Sequence, residues 1–208
     1  MPDKQPTETI KVFFVLGGPG SGKTTACVHL VETFGYTHYS AGDLLRQASR
    51  SRNDEAAKVI RSYMISGNIV PDETTVNLIH QAIKSNPNPN GYLIDGFPRT
   101  IRQGQMFEES IAPAAGVIYL NCSDETMEKR LQARGQEQGD NKREDDVLEV
   151  IRNRLRVHHA QCEPVIETYK AQGRCHVVDS NQNPDKVCDD LRKLLLSLGE
   201  KSIRDKAK

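Results

Sequence analysis

Five short runs, most of them apolar, punctuate the chain: VFFVLG at 12–17, THYS at 37–40, YLIDG at 92–96, AGVIYLNC at 115–122 and CHVVDS at 175–180. Several are hydrophobic throughout instead of alternating, the pattern of strands covered on both faces. The stretches between them carry helical spacing over 22–34, 42–66 with a break, 72–85, 101–109, 124–133, 144–171 and 184–198. Strand and helix alternate, which predicts an α/β domain with a doubly wound parallel sheet.

Two segments exceed what a compact crossover needs. Residues 42–90 place two or three helices between consecutive strands, so this piece is expected to project as a subdomain. The stretch RGQEQGDNKREDD, Arg134 to Asp146, is polar and glycine-bearing with no apolar stripe, and reads as a surface loop. SNPNPNG at 85–91 is a turn-forming linker, and the tail KSIRDKAK reads as frayed.

The first strand runs into GGPGSGKT, Gly17 to Thr24, which fits G-x-x-x-x-G-K-[ST] and is followed by a helix. Such a loop curls so that successive N–H groups face an anion, and the helix start adds its partial positive charge. Lys23 brings a full charge for β- and γ-phosphates, and Thr24 or its neighbour Thr25 offers a hydroxyl to magnesium. A magnesium-bound nucleoside triphosphate is therefore expected, but the loop alone does not say where the phosphate goes.

The arginines carry that information. LIDGFPRT puts Asp95 at the carboxyl end of a strand, where ligands of open α/β sheets bind, and suits it to magnesium-bound water. Arg99 follows in the same loop, and Arg46 in SAGDLLR follows the second strand. Arg130 and Arg134 share a helix face. Arg154 continues the apolar stripe of Val147, Val150 and Ile151, whereas Arg152 and Arg156 point away. An arginine on a buried face needs an anion or carboxylate to meet it. This many guanidinium groups exceed what one triphosphate requires, and suit phosphoryl transfer between two anionic substrates.

Composition narrows the classes. The chain has 208 residues, enough for one globular domain, and 28 Lys plus Arg balance 28 Asp plus Glu, so bulk charge favours neither nucleic acid nor membrane as a partner. Five scattered cysteines without a Cys-x-x-Cys pair argue against a disulfide framework or structural zinc and for a reducing compartment. The start MPDKQPTETIK has neither a signal-peptide core nor the composition of a transit peptide, and no run reaches transmembrane length, so a cytoplasmic protein is expected.

VLGGPGSGKTT, GYTHYSAGDLLR, GNIVPDETT, LIDGFPRT, RLQARG, DD followed by RNRL, and CEPVIETY occur in one order over residues 10–195. In this the chain resembles the short-lid nucleoside monophosphate kinases, the adenylate kinase and UMP/CMP kinase family. The resemblance implies a P-loop NTPase core (10–39, 71–133 and 146–198) with a five-stranded parallel sheet, an acceptor-binding insert at 40–70 and a lid at 134–145. It implies that ATP is held by Gly18, Pro19, Gly20, Ser21, Gly22, Lys23, Thr24 and Thr25, with Arg130 against the base near Gln182. The acceptor would meet Ala41, Arg46, Val70, Gly96, Arg99 and Gln103, while Arg134, Arg143 and Arg154 surround the transferring group. Asp95 would order magnesium-bound water, and a monomer would suffice. Thr24 stands where the family usually has Gly, which leaves the magnesium-contacting hydroxyl open between Thr24 and Thr25. The lid is about three residues longer than usual, and Val147 replaces a usual polar residue. Ala41, DGFPR and NIVP resemble UMP/CMP kinases, Gln103 resembles adenylate kinases, and a carboxamide can serve either base. UMP and CMP are the favoured acceptors, with AMP and deoxy forms beside them.

Overall fold

The computed structural model describes residues 10–50, 54–136 and 148–203. Each expected strand is present, trimmed by a residue or two at most positions: β1 (Val12–Leu16), β2 (Thr37–Ser40), β3 (Tyr92–Asp95), β4 (Gly116–Asn121) and β5 (Cys175–Asp179). They form one sheet in the order β2-β3-β1-β4-β5, parallel at every pairing. The helices are α1 (Lys23–Phe34), α2 (Ala41–Ala48), α3 (Glu55–Ile65), α4 (Asp72–Ser85), α5 (Ile101–Ser110), α6 (Asp124–Gln136), α7 (Leu148–Val157), α8 (Glu163–Ala171) and α9 (Pro184–Ser197). Among the described residues none is long and apolar enough to cross a membrane.

β1 shows why the sheet reads as hydrophobic throughout. Successive strand side chains point to opposite faces. Val12, Phe14 and Leu16 enter the core shared with α4, α5 and α8, and Phe13 and Val15 enter the core shared with α1 and α9. Phe14 meets Phe97, Phe107 and Tyr169 edge-on at centroid distances of 5.5, 5.1 and 6.1 Å. Each such pair contributes roughly 0.5–1.5 kcal/mol beyond its buried area. Phe97 lies in the loop after β3, so this cluster also fixes the loop that carries Arg99.

The expected break within 42–66 is present, and the 144–171 stretch departs from the periodicity for a local reason. The helical stretch over 42–66 is two helices, α2 and α3, with a small core of their own built from Leu45, Ile60 and Val70. The single helix expected over 144–171 is α7 and α8 joined by a π-turn, His158–Cys162, with 144–147 outside the described residues. There the Glu163 N–H donates to the His158 carbonyl, five residues back. Pro164 has no N–H to continue the ladder and its ring crowds the preceding turn, so the helix widens just ahead of it.

The register aligns the carboxyl ends of the strands. Asp95 lies beside both Val15 of β1 and Ser40 of β2, so the loops that follow β1, β2 and β3 open on one edge.

Candidate functional site

The phosphate loop occupies the turn from β1 into α1. Gly20 and Gly22 have φ of 84° and 88°, in the region that glycine alone adopts freely. A Cβ on Gly20 would lie 2.7 Å from the Met127 carbonyl oxygen and 2.9 Å from Leu131, so α6 closes on the loop there. Gly22 caps α1 with no side-chain partner for the first N–H groups, which leaves them facing the cleft. The Lys23 ammonium donates to the carbonyls of Gly17 (2.9 Å) and Gly18 (2.8 Å). Burial pulls its pKa down to about 8; Asp95 works against this, and Arg99 and Arg154 add to it. Pro19, Gly20, Gly22, Lys23, Thr24 and Thr25 line the cleft. Ser21 is fully buried beneath the loop, where its carbonyl accepts from Ser180 Oγ at 2.5 Å, and Gly18 packs against Met127 and His158.

Thr24 and Asp95 are adjacent: the Thr24 hydroxyl donates to Asp95 Oδ2 at 2.8 Å. Thr25 is exposed on the cleft wall. Burial alone would raise the pKa of Asp95, but His38, the Lys23 charge and the Thr24 hydroxyl outweigh it and hold the carboxyl below its usual range. An ionised carboxylate with a hydroxyl beside it, both at the cleft edge, is the hard-oxygen donor set that magnesium takes, directly or through water.

A cleft of about 1450 Å³ runs from this loop across the strand ends. Five of the expected arginines line it: Arg46, Arg99, Arg130, Arg134 and Arg154. Arg143 lies outside the described residues, as does the expected lid apart from its first residues. Arg46 pairs with Asp43 one turn away on α2. Arg99 donates from Nε to the Gly96 carbonyl at 3.0 Å, which leaves its two Nη groups without partners among the described residues. Arg130 reaches the Gln182 carbonyl from Nη2 at 3.3 Å, so the Gln182 backbone anchors this arginine, while Gln182 itself does not line the cleft. Arg154 is half-buried on α7 while Arg152 and Arg156 are exposed, as the apolar stripe requires.

A smaller cavity of about 30 Å³ opens between α2 and the β3–α5 loop. Ala41, Val70, Gly96, Arg99 and Gln103 line it together with Thr75. Thr100 caps α5 by accepting from the Gln103 N–H at 3.0 Å, and the Gln103 side chain turns back to accept from the Arg99 N–H at 2.8 Å through Oε1. Gln103 is 1% exposed, and its Nε2 has no hydrogen-bond partner among the described residues. The Gln103 amide therefore presents an oriented donor to the pocket, beside the Arg99 guanidinium.

Three further residues of the cleft escape sequence reading. Arg61 on α3 lines it, with one Nη2 bond to the Ser49 carbonyl, yet its sequence surroundings are those of any helical arginine. His158 and Cys162 face it from the π-turn. Burial, reinforced by the charges of Lys23, His159 and Arg99, lowers the His158 pKa to about 4, so the ring is neutral. Only the widening before Pro164 turns these two side chains inward, and no 3.6-residue periodicity signals it.

The Adenylate kinase family model matches residues 15–174. The chain belongs to the adenylate kinase family. Relatives of the family are similar to it over nearly their whole length. Adenylate kinase isoenzyme 1 of Gallus gallus is 41% identical over 189 residues, 88% of this chain and 95% of the relative. Uridylate kinase of Schizosaccharomyces pombe is 41% identical over 187 residues, 88% and 96%. UMP-CMP kinase 3 of Arabidopsis thaliana is 41% identical over 200 residues, 95% and 93%. Adenylate kinase family membership agrees with the five-stranded parallel sheet and the loop described above.

Proposed function

We propose that this chain transfers the γ-phosphoryl group of MgATP reversibly to a nucleoside monophosphate, with UMP and CMP the favoured acceptors. The observation that carries the reading is the position of Arg99. It lines both the phosphate-loop cleft and the small cavity, with two Nη groups that have no partner among the described residues. An arginine there bridges an acceptor phosphate to the donor chain, which a site for one triphosphate does not need.

The N–H groups at the start of α1 and Lys23 hold the donor phosphates. Arg99 and Arg46 hold the acceptor phosphate, and Arg134, Arg154 and Arg143 spread charge off the group in flight. Thr24 or Thr25, with Asp95 through water, would hold magnesium, which when bound would neutralise charge on the donor phosphates. Arg130 and the Gln182 backbone flank the donor base. No residue serves as covalent nucleophile, because alignment and charge stabilisation suffice for a loose phosphoryl transition state. Both subsites come from one chain, so a monomer suffices, and five free thiols suit a reducing cytoplasm.

For the base, Ala41 places a methyl and no hydroxyl at its own position in the cavity wall, and the Gln103 donor matches O4 of uracil or N3 of cytosine. The same donor matches N1 of adenine, and this, with the adenylate kinase relatives, supports AMP as the second reading. A coupled assay of ADP release with UMP, CMP and AMP separates them. A kcat/KM far larger for AMP overturns the pyrimidine preference. An enzyme on which no monophosphate accelerates ADP release overturns the kinase reading itself in favour of a non-catalytic ATP-binding switch.

A further inference from the structure

Behind the phosphate loop, α1, β2 and β3 bring together three side chains that the transfer reaction does not use as a set: Cys27, His38 and Asp95. One ligand atom from each, Cys27 Sγ, a ring nitrogen of His38 and a carboxylate oxygen of Asp95, lies within 4.8 Å of both others. Cys27 is fully buried and a free thiol, and Asp95 is 3% exposed. His38 Nε2 is buried and, among the described residues, has no partner within hydrogen-bond distance; it faces Asp95 Oδ2 at 3.6 Å, within ion-pair range but too far for a good hydrogen bond. A buried imidazole nitrogen without a hydrogen bond is costly, and here it faces a thiol and a carboxylate.

We propose that Cys27, His38 and Asp95 form a buried binding site for a borderline-soft divalent cation of the zinc type, and that an ion held there withdraws Asp95 from the phosphate cleft. Sulfur, imidazole nitrogen and carboxylate oxygen are the ligands zinc takes, with water as the fourth. Magnesium, which demands oxygen ligands, is excluded by the same set. Ligands around tetrahedral zinc sit about 3.5 Å apart, so the trio must contract by about 1 Å, within the reach of small side-chain rotations. His38 keeps 17% of its side chain exposed, which gives the ion a way in from the β2 side. On binding, the thiol releases its proton to solvent and the sulfur–metal bond forms; no oxidant or reductant takes part. Asp95 then binds zinc and no longer offers its carboxylate beside Thr24. This inhibitory consequence rests on the role given to Asp95 above, whereas the binding does not.

The test uses the full chain stripped of metal by a chelator. Cobalt(II) is titrated as a spectroscopic probe in the absence of nucleotide, and zinc is titrated against a chromophoric chelator. The expected result is one ion per chain with a thiolate-to-cobalt charge-transfer band, both lost in Cys27→Ala. Removing a ligand costs at least the roughly 10–100-fold in affinity that an outer-shell change costs. In the coupled assay with magnesium in excess, zinc inhibits the wild type and Cys27→Ala is at least about tenfold less sensitive, with its zinc-free kcat unchanged. Cys27→Ser, which keeps the volume, serves if the alanine variant loses stability. No charge-transfer band, or a band that persists in both variants, overturns the site. Equal zinc inhibition of wild type and variants overturns the inhibitory role and assigns the effect to zinc replacing magnesium on ATP. A bound ion with undiminished transfer supports the site and overturns the reading of Asp95 as the residue that serves magnesium.

Discussion

Removing the Arg99 guanidinium separates phosphate recognition from base recognition, because the two use different atoms of the same residue. The side chain is pre-oriented by its Nε bond to the Gly96 carbonyl, and only its two Nη groups remain for a ligand. The bond that fixes Gln103 comes from the Arg99 backbone N–H, which Arg99→Ala retains. Two charge-assisted hydrogen bonds contribute roughly 1.5–3 kcal/mol each. Arg99 is only half-buried, so the lower half of that range applies, about 3–4 kcal/mol in total. At 1.36 kcal/mol per decade this is about a 10²–10³-fold loss in kcat/KM for the monophosphate. The KM for ATP should stay within about threefold, since the Gly17–Thr24 loop and Lys23 carry donor binding. The ratio of kcat/KM for CMP over AMP should be unchanged. Arg99→Lys should recover little, because a point charge cannot replace a planar fork. The assay is coupled ADP release with each monophosphate varied at saturating MgATP. A loss below about fivefold, or an equal loss in ATP affinity, refutes the reasoning. A shifted base ratio refutes the assignment of Gln103 orientation to the backbone.

Three other outcomes follow from the same geometry. With the Lys23 pKa lowered to about 8, the free enzyme loses this charge as pH rises through that value, so kcat/KM for ATP should fall above about pH 8. Bound phosphates favour the charged ammonium, so the corresponding limb in kcat should move upward; identical limbs in the two profiles would refute the role of Lys23. Gln103→Leu removes the amide donor of the small cavity and should cost about tenfold or more in kcat/KM for every base it serves, with ATP affinity unchanged by isothermal titration. Thr24→Val removes a donor from Asp95 and should raise the magnesium concentration needed for half-maximal rate; if only Thr25→Val does so, the metal-contacting hydroxyl is Thr25.

Local chemistry accounts for what was legible in the sequence. The run VFFVL announces a strand buried on both faces because β1 packs on both, and the order of strands and helices then follows from βαβ connection. The glycines, Lys23 and the apolar stripe leading to Arg154 likewise carry their meaning within a few residues. What stayed hidden depends on atoms distant in the chain. Thr24 and Asp95 are 71 residues apart, and nothing near either reveals that one hydroxyl donates to the other. The direction of the Gln103 amide is decided by the Arg99 N–H, a bond that requires the turn to be built first. The approach of His38 to Cys27 comes from pairing β2 with β3 over α1, which composition cannot express.

The π-turn between α7 and α8 makes the cleft sensitive to chain length as well as to residue identity. An α-helix turns about 100° per residue, and the extra residue in His158–Cys162 supplies one such step between Arg154 and the buried Val165. Deleting any single residue from 159–161 would remove this extra step, although Pro164 would still interrupt the hydrogen-bond ladder. The anchored α8 would then force α7 to rotate by about a quarter turn, carrying Arg154 and His158 off the cleft wall together. Point substitutions at exposed His159 or Ala160 would be tolerated where a one-residue deletion would not.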